Sequence, residues 1–167
     1  VDVLAICKDP APPPLRFLPG AFDIRQAYVP LRGDLVLFLD CAEPKLTEMH
    51  ESHPKLFTPS SCEADGIRTV NIDHHPSIPR ETDFAMLNIV DAEAASSAEI
   101  VVDIADSLNL PISPAVATCL LTGIYTDTGS MMHSNTSAHV YRTAARLLRA
   151  ARDDHAGTTH SKIHAAS

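Results

Sequence analysis

Ile67-Arg68-Thr69-Val70-Asn71-Ile72-Asp73-His74-His75 is a short β-branched and apolar run that stops abruptly at an acid and two imidazoles. Such a run predicts a sheet strand ending at Asp73. A second run, Leu35-Val36-Leu37-Phe38-Leu39, is apolar throughout, preceded by Gly33-Asp34 and followed by Asp40. Apolar on both faces, it reads as a buried central strand of a parallel sheet. Both strands end in acid, and in open parallel sheets functional groups gather at the carboxyl ends of the strands.

Outward from these two runs the chain alternates. Val1-Asp2-Val3-Leu4-Ala5-Ile6 reads as a further strand, closed off by the connector Lys8-Asp9-Pro10-Ala11-Pro12-Pro13-Pro14, in which proline offers no N–H to a ladder. Residues 42–65 are polar and rich in Pro, Ser, Glu and His, which predicts a long surface loop with one short helical turn. Three helices follow. The first is capped by Ser96 or Ser97 and carries Ile100, Val101, Ile104, Ala105 and Leu108 on one face. The second runs from a Ser113 cap toward Gly123 and is apolar enough to be buried against the sheet. The third opens at Thr136 or Ser137 and carries Val140, Ala144, Leu147 and Leu148. The sum is an α/β domain, a mostly parallel sheet flanked by helices, over residues 1–152, with a polar tail over 153–167.

Composition narrows the function. The 167 residues are 45% apolar and 20% charged, with no Trp, so one aliphatic core is expected. A net charge of −8 argues against passive coating of nucleic acid by the overall field. Phosphate handling would then need local positive charge, which a divalent metal supplies. Cys7, Cys41, Cys62 and Cys119 form no CxxC pair, so buried free thiols in a reducing cytoplasm are expected rather than a zinc ribbon or a disulfide scaffold. No apolar run reaches the length of a membrane span.

The candidate chemistry sits on Asp40, on Asp73-His74-His75, and on Asp127 within Gly123-Ile124-Tyr125-Thr126-Asp127-Thr128-Gly129. Mixed carboxylate and imidazole ligands suit Mn²⁺ better than a structural zinc. Two such ions sharing carboxylates could activate water for in-line attack on phosphorus. Asp73 is expected to orient His74 by accepting its other ring N–H. Weaker candidates read as surface: His50-Glu51-Ser52-His53 lies in the polar loop, and Arg142, Arg146, Arg149 and Arg152 recur as the solvent side of an amphipathic helix. His155, His160 and His164 fall in the tail.

Asn71-Ile72-Asp73-His74-His75 resembles the signature of the DHH phosphoesterases. Asn88-Ile89-Val90-Asp91-Ala92-Glu93-Ala94-Ala95-Ser96-Ser97-Ala98-Glu99-Ile100 and Leu121-Thr122-Gly123-Ile124-Tyr125-Thr126-Asp127-Thr128-Gly129-Ser130 resemble its later segments in the same order, as does Phe17-Leu18-Pro19-Gly20 upstream. The likeness runs from about Val1 to Arg152 and is nearest to nanoRNases and pAp phosphatases, with RecJ nucleases more distant. It implies a Rossmann-like DHH domain with a Mn²⁺ or Mg²⁺ site of two ions. Asp40 and Asp127 would be shared metal carboxylates and His74 a metal ligand. Asp73 and His75 would be supporting catalytic neighbours, His75 touching substrate phosphate or ordered water. It also implies short oligonucleotides or nucleotide monoesters as substrates.

The resemblance is incomplete. Family members open with a His and an Asp-x-Asp pair followed by Ser, and no such motif precedes Asp40: Asp2, Asp9, Asp23 and Asp34 have other neighbours. The first βα unit and the second, substrate-gripping domain are thus expected to be missing, with fewer than two ions held and activity impaired. The alternative expectation is a truncated or degenerate module that binds metal or a partner without catalysis, its exposed sheet edge inviting a homodimer.

Overall fold

A computed structural model describes residues 2–76 and 83–152. The chain divides into two compact units, Val1–Pro10 with Asp23–Ala92, and Ala11–Phe22 with Glu93–Ser167.

The first unit is built on a parallel sheet in the order β1 (Leu35–Leu39), β2 (Arg68–Asp73), β3 (Leu87–Val90). The strand character expected of both apolar runs is present, but the central position belongs to β2. β1 is an edge strand, and Leu35, Leu37 and Leu39 on one of its faces are 59%, 52% and 56% exposed. A run apolar on both faces identifies a strand without saying how many neighbours it has. The other face of β1 carries Val36 and Phe38. Phe38 meets Phe57 and Phe84 at ring-centroid distances of 5.0 and 5.2 Å, and Phe57 meets Phe84 at 5.7 Å. Such tilted and edge-on aromatic pairs add about 0.5–1.5 kcal/mol each beyond area burial.

The polar stretch 42–65 is more ordered than its composition suggested. It holds 3-10 turns at Pro44–Thr47 and Pro54–Phe57 and the helix α1 (Pro59–Asp65), whose end is closed by Gly66 at φ 70°. Leu56 and Cys62, isolated among polar residues in the sequence, are both buried and pin the segment to Phe38 and Ile67. The strand expected over residues 1–6 is reduced, among the described residues, to one isolated parallel bridge between Ile6 and Arg25. The prolines beyond Lys8 end any ladder there, and Val3 and Leu4 stand exposed. β3 carried no signal of its own, being four residues long.

The second unit is a cluster of three helices, α2 (Ser97–Ser107), α3 (Pro114–Asp127) and α4 (Ala138–Arg152). The serine caps expected from sequence are in place: Ser96 Oγ accepts from the Glu99 N–H, Ser113 Oγ from Val116, and Ser137 Oγ from Val140. The buried face of α2 is rotated from expectation, since Val102 is buried and Leu108 is exposed. α3 runs to Asp127, four residues past its expected end. It packs on α2 and α4, with Ala117, Leu121 and Ile124 buried among Val102, Val140 and Leu147. Its threonines donate back one turn, Thr118 to the Pro114 carbonyl, Thr122 to Thr118 and Thr126 to Thr122, which satisfies the buried hydroxyls of Thr118 and Thr122. A Cβ on Gly123 would fall 2.9 Å from that of Ala98, so glycine sets how closely α2 and α3 approach.

The arginines of α4 face solvent, as expected, and Arg146 reaches Asp106 at 2.6 Å. No helix among the described residues is long and apolar enough to cross a membrane. All four cysteines are free. Cys41 and Cys62 are buried, whereas Cys7 is exposed, against the expectation of burial. The expected tail, with His155, His160 and His164, lies outside the described residues.

Candidate metal centre

Parallel pairing puts the residues that follow β1 and β2 at one rim, however far apart they are in sequence. The Asp40 N–H extends the ladder by donating to the Ile72 carbonyl at 2.9 Å, which fixes Asp40 beside the end of β2. Immediately there the chain turns: Asp40 is left-handed, with φ 59°. Asp is among the few side chains that tolerate that region. The third strand joins the same rim, because the Asp91 N–H donates to the Asp73 carbonyl at 3.1 Å.

Asp40, His74 and His75 come together there. Each offers one ligand atom within 4.8 Å of the others, and this is the metal-competent cluster among the described residues. His74 Nε2 lies 3.5 Å from Asp40 Oδ1, and His75 Nδ1 lies 3.9 Å from the same oxygen. Donors held ~2.1 Å from one ion stand roughly 3–4 Å apart, so the spacing fits a divalent cation with mixed O and N ligands.

Asp73 plays a different part. It is fully buried, and its Oδ1 accepts from the backbone N–H of His74 at 2.9 Å and of His75 at 3.3 Å, and meets His75 Nδ1 at 2.8 Å. The ring it orients is that of His75, not of His74 as the sequence suggested. A carboxylate only accepts, so His75 Nδ1 carries the proton in this contact. Asp73 Oδ2 is buried with no hydrogen-bond partner. A buried orphan carboxylate oxygen at this rim is the kind of atom that a cation or its water satisfies.

Two neighbours complete the rim. Asn71, fully buried two residues before Asp73 on the same strand face, donates from Nδ2 to the Cys41 carbonyl at 3.2 Å and so ties the turn after Asp40 to β2. Sequence reading passed over Asn71. Its signal was a lone amide between Val70 and Ile72, in period-two register with Asp73. The Cys41 thiol is pushed up to about 11 by burial and by the charge of Asp73, so it stays protonated at neutral pH and offers no thiolate.

Asp127 belongs to the second unit, as the last residue of α3. Its carbonyl, an orphan at a helix C-terminus, meets Asn135 Nδ2 and His133 Nδ1, each at 3.3 Å, and the same Asn135 amide reaches the Ala95 carbonyl at 3.1 Å. Gly129, at φ 54°, leaves the space that the His133 ring occupies, since a Cβ there would lie 2.2 Å from its Nε2. His50 and His53, read as loop residues, do not form a metal cluster among the described residues.

The chain is 36% identical over 141 residues to the bifunctional oligoribonuclease and PAP phosphatase NrnA of Thermus thermophilus, a match covering 83% of this chain and 39% of that protein. It is 42% identical over 82 residues to the protein of the same name from Mycoplasma pneumoniae, covering 48% of this chain and 24% of that one. In fold it resembles the crystal structure of an exopolyphosphatase-related protein from Bacteroides fragilis, with a TM-score of 0.73 at 22% identity over 96% of this chain and 46% of that one. The chain thus spans less than half the length of each of these relatives. Residues 5–124 match the N-terminal domain of the DHH family, and the chain belongs to that family.

Proposed function

We propose that residues 1–152 form the metal-holding part of a phosphoesterase acting on short oligonucleotides or nucleotide monoesters in the cytoplasm. The observation that carries this is the convergence of Asp40, His74 and His75 at the carboxyl ends of neighbouring strands in a DHH-family chain. The names of the Thermus and Mycoplasma relatives support the substrate class. The free thiols fit a reducing compartment.

Bound Mn²⁺ or Mg²⁺ would supply Lewis-acid and water-activating chemistry at phosphorus. Asp40 and His74 would hold it, with Asp127 as the second shared carboxylate. His75, its ring fixed by Asp73, would present a proton donor or a phosphate contact beside the ion. Asp73 keeps both histidines in place through its three contacts.

A second reading, a module that holds metal without turnover, rests on the cluster of Asp40, His74 and His75, the metal-competent group among the described residues. Manganese titration of the purified chain, alongside hydrolysis of pApA and bis-p-nitrophenyl phosphate, tests both. Saturable Mn²⁺ binding with turnover at or near background is expected. Robust turnover that disappears in Asp127→Ala would refute the second reading, and an absence of saturable binding would refute the metal site itself.

A further inference from the structure

Where β1 and β2 begin, at the opposite end of the sheet from the metal rim, the first unit holds a cavity of about 510 Å³. That lies within the ~300–1,000 Å³ usual for small-molecule sites. Its floor is apolar, with Leu56 3% and Ile67 7% exposed. Its rim is cationic in a chain of net charge −8: Arg32 and Lys55 line it, with Asp65 its one acid.

Arg32 is in place before any ligand arrives. Its Nη2 reaches the Ala64 carbonyl at 3.4 Å at the end of α1, where the helix dipole favours a cation. A Cβ on Gly66 would fall 2.8 Å from Arg32 Nη1 and 3.1 Å from its Cγ, so the glycine leaves the room in which the side chain lies. Lys55 meets Asp65 at 3.2 Å, but both groups are solvated, at 72% and 44% exposure. Such pairs contribute ~0–1 kcal/mol, so an incoming dianion readily takes over the ammonium. On the far wall the Ser52 hydroxyl donates to the Met49 carbonyl at 3.1 Å and accepts from His53 Nδ1 at 2.8 Å. In the tautomer with its proton on Nδ1, the His53 ring offers Nε2 to a ligand hydroxyl or amine.

We propose that this cavity binds a small organic phosphate of the nucleoside monophosphate class. Its phosphate lies between Arg32 and Lys55, where a guanidinium fork can bond two oxygens at once. Its flat apolar part lies against Pro30 and Pro54, above the buried Leu56 and Ile67, and its sugar or base edge meets His53. The site is independent of the metal rim.

Calorimetric titration of the whole chain with AMP in excess EDTA, with inorganic phosphate and adenosine as comparison probes, tests the proposal. One AMP per chain is expected, with each half-ligand at least tenfold weaker. Arg32→Met and Lys55→Met, both on exposed residues, should each weaken AMP at least tenfold with thermal midpoints close to wild type, and Asp40→Asn should leave it unchanged. No saturable AMP binding, equal binding of phosphate or adenosine, indifference to both cation replacements, or loss in Asp40→Asn would each overturn it.

Discussion

The carboxyl end of the three-stranded sheet gathers Asp40, Asp73, His74, His75 and Asp91, while its amino end gathers Arg32, Lys55, Gly33 and Gly66. At the first, an exposed acid and a buried acid divide the labour. Asp40, in a left-handed turn, faces a would-be ion, and Asp73 spends one oxygen on the two histidines. At the second, the Gly33 N–H donates to the Gly66 carbonyl at 2.8 Å, and Arg32 and Lys55 line the cavity with Asp65. Strands that run parallel place every N-terminal flank on one side and every C-terminal flank on the other. Residues 33 positions apart, such as Asp40 and Asp73, therefore become neighbours, and two opposite chemistries stay separate on one small scaffold.

The largest expected effect strikes the floor that holds the carboxyl end. Phe38→Ala removes the ring shared by two of the aromatic contacts just before Asp40 and should cost about 3–5 kcal/mol, read from urea denaturation. A loss under ~1 kcal/mol would mean that the rim is not supported by this cluster. Next is Asp73→Asn, which keeps the volume and removes the charge that orients His75. Manganese affinity should fall about 10–100-fold by calorimetry, as for other carboxylates that orient imidazole ligands, whereas Arg32→Met should not move it. Equal effects of the two replacements would erase the distinction between the ends.

The smallest effect belongs to the amino end. The Tyr28 phenol is pushed up to about 12, by burial first and then by its hydrogen bond to Asp34, and the same bond holds the Asp34 carboxyl below its ordinary range. The folded phenol titrates above its ordinary 10.0, so the contact's stabilisation is complete below about pH 10 and is lost as pH rises toward 12. The lowered carboxyl acts in the opposite direction: its share is present above the ordinary carboxylate range and is lost as pH falls through it. Tyr28→Phe should flatten both limbs of the stability-against-pH curve by urea titration and leave metal binding untouched. An unchanged curve would show that the contact is not made in solution.

Sequence exposed the elements whose physics is local. Both apolar runs are strands, all three serine-capped helices exist, and Asp40 lies beside the two histidines that follow β2. Non-local facts stayed hidden. Whether Leu35, Leu37 and Leu39 are covered depends on neighbouring strands, not on those leucines. Leu56 and Cys62 anchor a polar stretch that has no periodicity. β3 becomes a strand by pairing with β2, having too few residues to declare itself. At the site, Asp73 meets the ring of His75 rather than that of His74, a choice between adjacent histidines that spacing along the chain left open.

Pulsed electron paramagnetic resonance of Mn²⁺ bound to the chain reads the ligands at the rim directly. Imidazole nitrogen modulation should be present in the wild-type chain and diminished in His74→Ala, and Asp40→Asn should weaken binding by more than ~100-fold. Manganese bound through oxygen alone, with affinity indifferent to Asp40→Asn, would contradict a centre built from Asp40 and the two histidines.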